Sequence, residues 1–112
     1  MEKELTKLEK DMIEKMIELV EKSKTEETIM SYKDLSSEFG IRQDHIGKQL
    51  GHIAEFCLDI GVPPISAIVV NIETKKPGSG LYEVLKDKPK DCEEYIEEAQ
   101  RCKDWSKLKK YL

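Results

Sequence analysis

Apolar residues recur at three- and four-residue steps through the first fifth of the chain. Leu5, Leu8, Met12, Met16, Leu19 and Val20 mark one stripe, widened by Ile13 and Ile17. This period predicts an amphipathic helix over residues 2–23. Glu18 and Lys22 stand one turn apart on its polar side, a spacing that supports a helix. So wide a stripe either covers the core of a small domain or offers residues 5–20 as a homodimer seam.

A polar stretch, SKTEETIM, separates this helix from the next. Ser31 followed by Asp34 has the spacing of an N-terminal cap, and Gly40 supplies the left-handed stop that would end the short helix SYKDLSSEF. A longer helix is predicted from Gln43 or Asp44, with Ile46, Leu50, Ile53, Ala54, Cys57 and Leu58 inward, ended by Gly61 and Pro63-Pro64. Ile65 to Ile72 is nearly all apolar and predicts a short buried strand. Pro77, Gly78 and Gly80 form a turn, and Leu81 to Leu85 pair back as the second strand of a hairpin. Asp91 caps a last helix with the stripe Tyr95, Ile96, Ala99 and Cys102, continued by Trp105, Leu108, Tyr111 and Leu112.

The class is mainly α with a small β-hairpin (α+β). One domain is expected over 1–112: an N-terminal helix and turn over 1–30, two helices plus hairpin over 31–85, and a C-terminal helix over 86–112.

Composition narrows the function. Of 112 residues, 38% are apolar and 38% charged, enough for one modest core under a dense polar surface. No apolar run approaches the roughly 20 residues that span a bilayer. MEKELTKLEK is charged from its second residue, unlike a secretory signal. Cys57, Cys92 and Cys102 show no C-x-x-C spacing and suit reduced thiols in the cytoplasm. No metal or cofactor is expected, and no catalytic constellation is present. The net charge of −4 argues against bulk coating of nucleic acid. Yet Lys75, Lys76, Lys86, Lys88 and Lys90 face only Glu83 and Asp87 between Thr74 and Lys90, so the hairpin is basic within an acidic chain.

Two helices about a glycine turn, followed by a hairpin, follow the order of a winged helix-turn-helix. Leu35 and Phe39 supply the inward face of the first helix, Ser36 a small residue at the crossing, Gly40 the turn, and Ile41 and Ile46 the anchor of the second. One position departs: the next inward residue falls on Gln49, while the apolar residue is Leu50. The second helix then presents Arg42, Gln43, Asp44, His45, Lys48, Gln49 and His52 outward. Glutamine pairs with adenine edges, and arginine and lysine with guanine edges or phosphate. Gly47 and Gly51 leave one face low, either for a nucleic-acid backbone or for a neighbouring helix. Lys75 and Lys76, with Lys86 beside them, would touch phosphates as the wing; equally, lysines at a hairpin tip guard an exposed edge.

The series Tyr32-x-x-Leu35, Gly40, His45-Ile46-Gly47-x-x-Leu50-Gly51, Pro63 before a strand and Gly80-x-Tyr82 after it resembles the winged-helix module of alkylguanine-DNA alkyltransferases and alkyltransferase-like proteins. The likeness spans Tyr32 to Tyr82 and implies a DNA-binding shape. It does not imply alkyl transfer. Where that family carries proline-cysteine-histidine-arginine, this chain reads Pro63-Pro64-Ile65-Ser66, and Asp44 stands at the place of the base-extruding arginine. The run VVN-x-x-T-x-x-PG-x-G from Val69 to Gly80 is also similar to small bacterial and phage proteins.

The leading expectation is a non-enzymatic winged-helix protein that binds double-stranded DNA, as a regulator, through Arg42, Gln43, His45, Lys48, Gln49, His52, Lys75 and Lys76. The alternative is a small acidic interaction or inhibitor protein of phage or mobile-element type, with a protein partner. A small nucleotide-like ligand, held between the hairpin, Asn71 and Trp105, is a further alternative.

Overall fold

The computed structural model describes residues 5–22, 30–70, 85, 90, 92–102 and 104–112, without the side chains of Gln43, Asp44 and Cys92. The described chain is mainly helical with a small two-stranded sheet. The hairpin turn and residues 81–84 of its second strand, with Lys75, Lys76 and Lys86, lie outside the described residues, as do Asn71 and the cap expected at Asp91; Leu85, the expected end of that strand, is helical and buried.

Helix α1 runs Lys7–Lys22. Its start is a reciprocal cap: Thr6 N–H donates to Glu9 Oε1 at 2.9 Å, and Glu9 N–H donates to Thr6 Oγ1 at 3.1 Å. Two orphan donors at the helix start are thereby satisfied. The expected stripe packs inward, with Met12, Ile13, Met16, Ile17 and Val20 buried. Leu8 and Leu19 are half-buried against the same core. The homodimer seam expected over residues 5–20 therefore keeps no exposed apolar residue to offer, because the wide stripe meets α3 and the segment before β2.

Strand β1, Met30–Ser31, precedes helix α2, Tyr32–Phe39. Ser31 caps α2 as expected, its Oγ accepting from Asp34 N–H at 3.0 Å. Gly40 ends it at φ 64°, the left-handed conformation that a side chain disfavours. Helix α3 runs Gln43–Asp59. Beyond it Gly61 takes φ 83° and Val62 N–H donates to Cys57 O at 3.0 Å, turning the chain back across the core.

Two expectations are corrected here. Ile65–Ile68 is a 3-10 turn rather than strand, and strand β2 starts at Val69 and is described over Val69–Val70. Pro64 starts the turn, its carbonyl accepting from Ala67 N–H at 2.9 Å, and Ser66 Oγ donates to Leu50 O at 2.9 Å. These bonds satisfy polar groups that an isolated buried strand would leave open. Strand β2 pairs in parallel with β1, Met30 opposite Val69 and Ser31 opposite Val70. The described sheet thus joins the two ends of the helix pair and is not a local hairpin.

The C-terminal helix is likewise two helices, α4 over Cys92–Arg101 and α5 over Ser106–Lys109. Asp104 Oδ1 accepts from Ser106 N–H at 3.1 Å and from Ser106 Oγ, a local side-chain bond that starts a new helix in place of continuing the old one. Helix α4 packs on the 3-10 turn, which also touches α3 and α1.

Candidate nucleic-acid interface

The turn between α2 and α3 is closed from both sides. Gly40 N–H and Ile41 N–H both donate to Ser36 O, the latter at 3.1 Å, and Ser36 Oγ donates to Ile41 O. Leu35, Ile46 and Leu50 are buried beneath the turn, while Phe39 and Ile41 pack half-buried beside them. The inward residue of α3 is Leu50, and Gln49 is half-buried. The departure noted in the sequence is therefore a shift of the packing stripe by one residue.

At about 100° per residue, Arg42, His45, Lys48, Gln49 and His52 fall within one arc of α3. The structure divides that arc along its length. Arg42, His45 and Lys48 are exposed, Gln49 is half-buried, and His52 is covered to the point that 24% of its side chain stays accessible. Further along the arc Phe56 is buried, its ring edge-on to Tyr111 with centroids 5.0 Å apart. The open face is the N-terminal cap and first half of α3, carrying two side chains of fixed positive charge, Arg42 and Lys48. The side chain of Gln43 and the whole of Lys75 and Lys76 lie outside the described residues.

His52 is held from α1. Its Nδ1 lies 2.5 Å from Glu9 Oε2, and Glu9 is 1% exposed. One carboxylate therefore caps α1 through Oε1 and anchors α3 through Oε2. Sequence reasoning placed His52 on the outward arc, where the structure leaves it part-covered, and missed Glu9. The signal was present, since Thr6-x-x-Glu9 is a capping spacing, but its partner lies 43 positions away. Gly51 is buried and Gly47 half-buried, which fits close packing at Gly51 better than approach of a nucleic-acid backbone.

Negative charge gathers elsewhere. Glu93, Glu94 and Glu97 are exposed on α4, and Glu98 pairs with Lys90, holding that ammonium above its usual range. A groove of about 490 Å³ lies between this face and Pro63. A second groove, about 410 Å³, separates α1 from the C-terminus, its rim tied by Lys22–Glu18 at 2.7 Å and Lys109–Glu21 at 2.9 Å. Trp105 lines neither groove; it is buried in the main core.

Cys57 is buried, and loss of hydration pushes its thiol up to about 12, opposed only by a hydrogen bond from the Ile65 backbone. The neutral thiol is the form the fold accepts. Any stability from this shift is present below the ordinary thiol range of about 8.5 and is lost as pH rises toward 12. Iodoacetamide is expected to leave Cys57 unmodified in the folded protein and to modify it after unfolding in urea, read by peptide mass spectrometry.

Among the described residues, no helix is long and apolar enough to cross a membrane, and no three His, Cys, Asp or Glu side chains come together as metal donors. No family model, curated protein or solved structure matches the chain.

Proposed function

We propose that this protein binds double-stranded DNA without catalysing a reaction, as a cytoplasmic regulator of winged-helix type. The observation that carries the reading is the exposed first half of α3, where Arg42, His45 and Lys48 stand clear of the core directly after the Gly40 turn. In helix-turn-helix proteins the N-terminal residues of the second helix meet base edges. The order helix, strand, helix, turn, helix, strand and the likeness to the alkyltransferase winged helix support the same reading. Binding through so few cations in a chain of net charge −4 depends on local rather than overall attraction.

The test is fluorescence anisotropy with a labelled random-sequence duplex at low and moderate salt. Binding is expected at low salt, weakening as salt rises, with Lys48→Glu and the double variant Lys75→Glu/Lys76→Glu each weakening it further. Removing one phosphate contact lowers the salt slope by about 0.9. Absence of binding at low salt sets the DNA reading aside.

A second reading is favoured by the exposed Glu93, Glu94 and Glu97 of α4 beside the Pro63 groove: an acidic face for a basic protein partner. Substituting these three by glutamine leaves DNA binding no weaker under the first reading, and abolishes partner capture under the second.

A further inference from the structure

The contact between Glu9 and His52 joins a deeply buried carboxylate to a ring at the edge of the proposed DNA face. Glu9 is fixed twice. Oε1 is held by Thr6 N–H at 2.9 Å, and Oε2 meets His52 Nδ1 at 2.5 Å. A carboxylate so held cannot turn away, and ionised it can only accept hydrogen bonds. Nδ1 of His52 is therefore the protonated nitrogen, facing inward. Nε2 has no hydrogen-bond partner among the described residues, and the ring keeps 24% of its surface accessible. His52 also shares its arc of α3 with His45 and Lys48.

Resting on the DNA reading above, we propose that Glu9 is a positioning residue for that face: it fixes the His52 ring so that Nε2–H is presented to a DNA phosphate. With Nδ1–H given to Glu9, Nε2 is the ring nitrogen left to meet a phosphate, and a ring set between two anions donates a proton to each. The phosphate takes that donor as a charge-assisted hydrogen bond. Glu9 touches no DNA itself and acts through His52. The same carboxylate links α1 to α3, so the helix that presents the ring and the helix that orients it are held as one unit.

The test combines imidazole NMR with duplex binding. In the wild type, long-range 1H–15N correlations are expected to show the His52 proton on Nδ1, and a slowed Nε2–H signal on adding a short duplex. Glu9→Gln keeps the cap, because glutamine also serves at that position, but its amide donates toward Nδ1 and moves the ring proton to Nε2. In anisotropy at low salt, His52→Ala is expected to weaken binding by about tenfold, the size of one charge-assisted hydrogen bond. Glu9→Gln weakens it in the same direction, because the ring then donates from Nε2 as a neutral imidazole, without the charge that the Glu9 carboxylate supports, and the double variant binds no more weakly than His52→Ala alone, since Glu9 acts through the ring. Thermal melts of each variant confirm that it is folded.

If the wild type binds duplex and His52→Ala binds equally well, the inference is overturned while the DNA reading stands. If the Glu9→Gln and His52→Ala losses simply add, or the Nδ1 proton is unmoved in Glu9→Gln, Glu9 does not act through His52 and the proposal also fails. If the wild type itself does not bind, the DNA reading falls and takes the phosphate contact with it.

Discussion

Leu50→Ala is expected to destabilise the protein by about 2–5 kcal/mol, the range for truncating a buried leucine, whereas Gln49→Ala is expected to cost less than about 1 kcal/mol. The two neighbours separate two frames for α3. If the helix were seated as the simplest helix-turn-helix spacing suggests, residue 49 would be the inward anchor. In the structure Leu50 is 0% exposed and lies on one stripe with Ile46, Ile53 and Cys57, all fully buried. Its backbone carbonyl also receives Ser66 Oγ at 2.9 Å, so the residue is gripped by side chain and main chain together. Truncation leaves a cavity between α3 and the 3-10 turn that neither can readily fill, because the turn is itself pinned through Ser66. Small domains hold about 5–15 kcal/mol in total, so Leu50→Ala removes a large part of the margin. Urea unfolding at constant m-value gives the comparison. A loss at Gln49 equal to that at Leu50 would return the helix to the other frame, and would move Lys48 and His52 off their present arc.

That one-residue shift shows what the sequence could carry and what it could not. The first three helices were legible because their apolar stripes repeat locally and their ends carry chemistry of their own: Ser31 with Asp34, Gly40, Gly61. Of the strands, Val69–Val70 fell within an expected strand, but Met30–Ser31 and the parallel pairing were not legible. A two-residue strand such as Met30–Ser31 has no period to read, and a parallel partner 39 positions away, Val69 for Met30, leaves no local trace. The Ile65–Ile72 run has strand composition, yet two preceding prolines and a buried serine that bonds across to α3 shape its first half into a turn. The break near Asp104 was missed for a related reason. The apolar spacing carries on through Trp105 and Leu108, and the new start is marked by Ser106 N–H donating to Asp104 Oδ1.

The candidate site divides in the same way. Its outward arc followed from helical periodicity alone, and Arg42, His45 and Lys48 are exposed on it. Where the arc ends did not follow from the sequence, because α1 and the C-terminal segment cover it, through Glu9 at His52 and Tyr111 at Phe56. Tertiary contacts of this range decide how much of an amphipathic helix remains available to a partner. Periodicity reports only which residues point the same way.

Trp105→Ala is expected to cost about 3–5 kcal/mol, and Trp105→Phe much less. The ring is 1% exposed and belongs to the main core with Leu108 and the α1 stripe. Its own carbonyl opens α5, accepting from Leu108 N–H at 3.0 Å and Lys109 N–H at 2.9 Å. Alanine at this position removes the large side chain that holds the C-terminal segment against the core. Lys109 bonded to Glu21 on the surface cannot replace it, since exposed ion pairs contribute about 1 kcal/mol or less. Phenylalanine behaves differently because the indole Nε1 is buried with no hydrogen-bond partner among the described residues. An unsatisfied buried donor costs about 1–3 kcal/mol. Phenylalanine removes that penalty while giving up part of the ring's packing, and the two effects oppose each other. As Trp105 is the single tryptophan of the chain, its emission follows the wild-type unfolding directly, and circular dichroism follows the variants. A Trp105→Phe loss as large as that of Trp105→Ala would mean that the indole N–H has an acceptor in solution. The C-terminal segment would then be held by a hydrogen bond as well as by packing.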